Sequence, residues 1–113
     1  MPTATDSLSL VFHALSDPTR RGILERLSMG DTTVGELREP FEMSAPAVSQ
    51  HLRVLEKAGL VERRAQAQWR VCALTPAPLD DAAAWVEGNR RTWEARFDRL
   101  DEVLAELDGE EER

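Results

Sequence analysis

Apolar residues recur along this chain first with the period of a helix, then of a strand, then of a helix again. Leu8, Val11, Phe12 and Leu15 mark the inner face of a first helix, which Asp6 or Ser7 caps. Ser16-Asp17-Pro18-Thr19 stops and restarts the chain, with Asp17 as cap and Pro18 as first residue of a second helix. That helix, over 18–29, turns Ile23, Leu24 and Leu27 inward and ends at Gly30. A short third helix from Thr33 to Glu39 buries Val34 and Leu37, Pro40 blocks its continuation, and Phe41 and Met43 fill the space beneath the following turn.

The stretch SAPAVSQHLRVLEKAG, 44–59, carries the clearest helix signals. Ser44 caps it, Pro46 fits its first turn, Lys57 lies in its last turn and Gly59 leaves it. Val48, Leu52 and Leu55 form one apolar stripe, while Pro46, Ser49, Gln50, Arg53 and Lys57 occupy the other side. Small and hydrogen-bonding residues near the N-terminus followed by cations suit a helix that lies in a DNA major groove. An ordinary amphipathic helix with a solvated outer face fits this segment alone as well. Two short helices joined by a tight turn, the second polar-faced, nevertheless predict a helix-turn-helix.

After Gly59 the period becomes two. Residues 60–64 and 69–74 read as strands joined by Ala65-Gln66-Ala67-Gln68, with Trp69, Val71 and Ala73 on one face and Arg70, Cys72 and Leu74 on the other. A hairpin directly behind a recognition helix is a wing. Its Arg63, Arg64, Gln66, Gln68 and Arg70 suit the sugar-phosphate backbone or the minor groove, although arginine on a small exposed sheet is also commonly just solvated.

Thr75-Pro76-Ala77-Pro78 breaks the chain before a helix over 79–107, about 43 Å long at 1.5 Å per residue. Val86, Trp93, Phe97, Leu100, Leu104 and Leu107 follow a heptad-like seam, with Arg90 at the missing step and Gly88-Asn89 weakening it locally. So long a stripe exceeds what a small domain can cover. A homodimer through this helix is therefore predicted, using Trp85, Val86, Trp93, Phe97, Leu100, Leu104 and Leu107, with Val11 of the first helix contributing. Residues 108–113 read as a disordered tail. The expected fold is mainly α with a small β-hairpin, one domain over 1–113 with a DNA-binding core at 8–75.

Charge sharpens this picture. The 113 residues carry a net charge of −7, which argues against nucleic acid until its distribution is read. Residues 44–79 hold five basic side chains against two acidic, a balance of +3, and 80–113 hold five against twelve. Exposed charges beyond about 10 Å are largely screened at ~0.1 M salt, so the basic region acts locally. No apolar run approaches the ~20 residues of a membrane span, and MPTATDSLSL lacks a basic start and long apolar centre, so a cytoplasmic protein without membrane association is expected.

Ala14-Leu15-Ser16-Asp17-Pro18-Thr19-Arg20, the run 44–52 and the run 53–61 together resemble the ArsR family of winged helix-turn-helix repressors over roughly 8–75. Ser44, Ser49, His51, Leu52, Leu55, Gly59, Leu60 and Val61 carry the pattern. The C-terminal part, with Trp85, Trp93 and Phe97-Asp98-Arg99-Leu100, resembles a branch without metal sites. The resemblance implies a dimeric repressor on a roughly palindromic double-stranded operator near its own promoter, released by a signal the sequence does not identify. It implies that Ser44, Ala45, Ser49 and Gln50 approach the DNA and that the wing arginines touch backbone or minor groove. Thr33 and Gly35 stand where metal-sensing members carry cysteines, and 79–113 contain no histidine, so neither metal nor cofactor is expected. A metal-responsive repressor and a winged-helix protein-interaction module without DNA affinity are the alternatives.

Other residues have ordinary roles to weigh. His51 and His13 read as packing or hydrogen-bonding residues before ligands, though His13 could respond to pH at a dimer interface. Cys72 reads as inert unless Arg63 or Arg70 depresses its pKa. Arg20 and Arg21 are expected to pair with acids first and phosphate second. Trp85 and Trp93 suit an interface core, or a cleft for a hydrophobic effector. No phosphate loop, nucleophile elbow or His–acid pair supports an enzyme.

Overall fold

The computed structural model describes residues 6–111. In order, the elements are α1 (Ser7–Leu15), α2 (Pro18–Leu27), β1 (Thr32–Thr33), α3 (Val34–Arg38), a 3-10 turn (Glu39–Phe41), α4 (Ala45–Lys57), β2 (Val61–Gln66), β3 (Trp69–Leu74) and α5 (Ala77–Glu111). The chain divides after Ala82 into two units.

Each of α1 to α4 starts where a side chain accepts from one of its orphan N–H groups. Asp6, rather than Ser7, caps α1 and accepts from Ser9 N at 2.8 Å. Asp17 caps α2, accepting from Arg20 N at 3.0 Å, with Pro18 in the first turn. The cap holds the Asp17 carboxyl below its usual range chiefly through that N–H, helped by the nearby Arg20 guanidinium. Thr33 caps α3 and accepts from Glu36 N, while Thr32 Oγ1 donates to the Glu36 carboxylate at 3.2 Å.

The inward residues of these helices close one core. Ile23, Leu37, Leu52, Leu55, Leu60, Val11, Val48 and Cys72 are its largest fully buried side chains, and Leu8, Phe41, Met43 and Leu79 pack around them. Gly22 is set by this packing: a Cβ there would lie 2.9 Å from the Phe41 ring. Val11 belongs to this core at 1% exposure. The expectation that it reaches a second chain is therefore corrected, because its helix turns it inward beside Ala14 and leaves no surface to share.

Sequence periodicity did not reveal β1. It is two residues long and pairs antiparallel with β3 at Thr32↔Cys72 and Thr33↔Val71, making a three-stranded sheet in the order β1-β3-β2. So short a strand has no period to detect, and its partners, Cys72 and Val71, come from a distant part of the chain. β2 also runs further than expected, to Gln66, because the hairpin closes through the two residues Ala67-Gln68. Ala67 takes a φ of 58°, a conformation usually left to glycine at a two-residue turn.

In the second unit, 83–111, the helix continues to Glu111, so the expected disorder from 108 is corrected for 108–111. Glutamate favours helix, and a single Gly109 costs only about 1 kcal/mol. Residues 112–113 lie outside the described residues. Near the Gly88-Asn89 weak point, Asn89 Nδ2 donates to the Trp85 carbonyl and Thr92 Oγ1 to the Gly88 carbonyl. Arg90 binds the carboxylates of Glu87 and Glu94, its missing-step position thus serving an ion-pair ladder. No described helix is long and apolar enough to cross a membrane.

Candidate nucleic-acid interface

The local rules that build α4 also decide which of its residues face water. Ser44 adopts extended backbone and its hydroxyl accepts from Ala47 N at 3.3 Å, so one orphan donor is satisfied and Ala45 and Pro46 open the first turn. At the other end Gly59, with φ 77°, donates to the Glu56 carbonyl at 2.9 Å, and Leu60 N donates to the Leu55 carbonyl at 3.0 Å. These are the paired bonds of a Schellman end, and its apolar contact is supplied by Leu55 and Leu60, both fully buried. Within these limits Val48, Leu52 and Leu55 are buried, whereas Ala45, Pro46, Gln50, Arg53 and Lys57 are exposed and Ser49 is half-buried. The exposed set covers the helix from its first turn to its last. A small-residue N-terminus and cations further along thus form one accessible face.

The wing sorts its arginines by strand alternation. Pairing Arg63 with Cys72 turns the Arg63 side chain toward α4, where Nε donates to Glu56 Oε1 at 2.7 Å and Nη2 lies 2.6 Å from the same oxygen. Arg63, expected to hold phosphate, here ties β2 to the helix and is 23% exposed. Arg64 turns the other way and pairs with Asp31 at 3.2 Å, both side chains about half exposed. Gln66, Gln68 and Arg70 are exposed, as is every residue from 64 to 70. Trp69, which the sequence reading assigned no role, is 58% exposed among them.

Behind α4 a buried guanidinium sets the helix against its neighbours. Arg20, 9% exposed, donates from Nε to the Ala14 carbonyl at 2.8 Å and from Nη2 to the His13 carbonyl at 3.0 Å. Its Nη1 lies 3.3 Å from His51 Nδ1, and since arginine has no acceptor the ring nitrogen must accept. Arg21 likewise donates to the Leu15 carbonyl at 2.7 Å. The expected pairing with acids is corrected here. Both arginines instead satisfy the carbonyls that end α1, where the helix dipole favours cations. The approach of His51 Nδ1 to Asp17 at 3.9 Å completes this cluster, so His51 serves packing between helices.

Redox and metal chemistry find little here. Burial pushes the Cys72 thiol up, and the nearby Arg63 charge only partly opposes it, so the thiolate needed for sensing is disfavoured. Among the described residues no three His, Cys, Asp or Glu side chains gather as a metal ligand set.

Known proteins share this arrangement. Residues 17–63 match the model of the bacterial regulatory protein, arsR family. The transcriptional repressor SdpR of Bacillus subtilis (strain 168) is 40% identical over 76 residues, spanning 67% of this chain and 84% of that one. The arsenical resistance operon repressor of Escherichia coli (strain K12) is 37% identical over 98 residues, spanning 86% of this chain and 81% of that one. A solved ArsR-like transcriptional regulator from Rhodococcus sp. RHA1 matches with a TM-score of 0.77 at 30% identity, covering 86% of this chain and 92% of its own. An accessible polar helix face beside a basic hairpin, on a chain this similar to transcriptional regulators, places the protein in the ArsR family as a DNA-binding transcriptional regulator and not an enzyme.

Proposed function

We propose that the protein is a homodimeric repressor that binds a roughly palindromic operator near its own promoter. The observation that carries the reading is the open face of α4: Gln50, Arg53 and Lys57 lie exposed beyond a capped first turn, while the opposite stripe is locked in the core. Ser49, Gln50 and Arg53 read base edges from the major groove, with Ala45 and Pro46 allowing close approach. Ser44, Lys57, Arg64 and Arg70 hold phosphate, and Gln66 and Gln68 lie along the backbone or minor groove. Two such faces related by a two-fold axis address half-sites about one helical turn, ~10 bp, apart.

Dimerisation is supported by the second unit, where Trp85, Val86, Trp93, Phe97, Leu100, Leu104 and Leu107 each keep about half of their surface exposed. A continuous stripe of that size on a single helix is characteristic of an association surface. The relatives named repressors support the sign of regulation.

Electrophoretic mobility shift with the region upstream of its own gene tests the reading. Gln50→Ala should cost about 1–3 kcal/mol on the preferred site and little on random duplex. Arg64→Ala should weaken both alike and flatten the salt dependence by roughly one unit of slope. Identical losses on both duplexes in the two variants contradict the division of labour, and a wild-type protein with no salt-sensitive complex contradicts the function itself.

A further inference from the structure

The wing ends in a feature that phosphate contact does not explain. Trp69 follows the Ala67-Gln68 turn directly and is 58% exposed. Because residues 64–70 are all exposed, the two-stranded tip offers no core in which an indole could be buried. Strand pairing sets Gln66 opposite Trp69 and Arg64 opposite Val71, so Trp69, Gln66 and Arg64 share one face, while Arg70 lies on the other. Arg63, Arg64, Gln68, Trp69 and Arg70 line a hollow of about 320 Å³. No acidic residue occurs from Arg63 to Arg70. Asp31 pairs with Arg64 and Glu56 with Arg63, whereas Arg70 has no ion pair among the described residues. An exposed indole flanked by Arg64 and Arg70, with Asp31 the acid paired to Arg64, suits a nucleic-acid strand, which offers phosphate on the outside, where it can displace Asp31, and sugar and base faces within.

We propose that Trp69 is a DNA-contacting wedge, its indole entering the minor groove beside each half-site while Arg64 and Arg70 hold the flanking phosphates. An apolar ring pressed between base steps partly unstacks them, so its binding favours steps that deform easily. The wing then contributes sequence preference at positions where it makes no base hydrogen bond, and Trp69 is a specificity-determining residue. This rests on the regulator reading above, which supplies the duplex.

Two variants, Trp69→Ala and Trp69→Phe, test it on random-sequence duplex at low salt and on the upstream duplex with TA or A-tract steps in the flanks. Trp69→Ala should weaken both by about tenfold or more and lose the preference for flexible flanks. Trp69→Phe should restore most of the affinity, which a charge effect alone would not do. Titrating duplex into the wild type should change tryptophan emission, and that change should vanish in Trp69→Phe, which reports even if Trp69→Ala folds poorly. Unchanged affinity and flank preference in Trp69→Ala, with Gln50→Ala still impaired, overturns the wedge and leaves the regulator standing. A shift of Trp69→Ala to single chains in sedimentation overturns it in favour of a protein contact. Absence of any salt-sensitive wild-type complex removes both readings together.

Discussion

Two leucines of equal size, Leu52 and Leu104, have opposite surroundings. Leu52 is fully buried with Val48 and Leu55 under α4, whereas Leu104 keeps 50% exposure on the helix after Ala82. The contrast extends to the units that hold them. In the first, the inward residues of four helices and three strands saturate one another. In the second, every large apolar side chain from Trp85 to Leu107 remains about half exposed, and Trp93 and Phe97 stack on each other with ring centroids 5.8 Å apart. Within the same unit Glu87, Arg90, Arg91 and Glu94 form ion pairs, Arg90 from the one seam position that lacks an apolar residue. Such pairs add only a few tenths of a kcal/mol each, so they do little to offset a half-exposed apolar stripe, which favours the proposed second copy as its cover. The first unit closes its own core; the second leaves its apolar stripe half exposed.

The sharpest way to break the comparison is to charge the stripe. Phe97→Asp with Leu104→Asp should abolish dimerisation and lower operator affinity by two orders of magnitude or more, since a two-site complex becomes two weak single contacts. Mobility shift and sedimentation on the same variant check this, and retained tight binding by single chains contradicts it. Next in size, Leu52→Ala should destabilise the first unit by about 2–5 kcal/mol in urea titration, the cost of a cavity in a closed core. Leu104→Ala should instead change the concentration dependence of the melting temperature, which Leu52→Ala should alter far less.

A smaller effect comes from the ion pair on the wing. Asp31 occupies the Arg64 guanidinium at 3.2 Å, in competition with phosphate. Asp31→Asn should therefore raise affinity for any duplex by a factor of about two to five, within the range of an exposed pair. Its effect should disappear in an Arg64→Ala background. The smallest effect is a pH limb. The Asp17 carboxyl titrates below its unfolded value, so its cap stabilises α2 above the ordinary carboxylate range, and that stability is lost as pH falls through the lower native value. Thermal melts between pH 6 and 3 should show a decline that Asp17→Asn flattens.

Much of this was legible in the residues because the apolar period and the caps agree. Asp17-Pro18, Ser44 and Gly59 mark helix ends that side-chain and backbone hydrogen bonds then fix. What escaped depends on pairing across the chain. β1 exists only because Thr32 and Thr33 meet Cys72 and Val71, and nothing local announces it. Arg63 and Arg64 are indistinguishable as a charge pair, yet alternation turns one toward Glu56 and the other toward Asp31. That alternation was readable from Val61 and Cys72, both inward-facing residues. The partners of Arg20 are backbone carbonyls six and seven positions earlier, which a search for acidic side chains overlooks. Trp69 passed as a strand residue because a period of two does not tell a core face from a tip with no core behind it.

The account turns on a second copy covering the apolar stripe of 83–111. Sedimentation equilibrium of the full chain at micromolar concentration measures this directly. Twice the chain mass, reverting to the single-chain mass in the Phe97→Asp/Leu104→Asp variant, is the expected result. Single chains in the wild type throughout that range would contradict it.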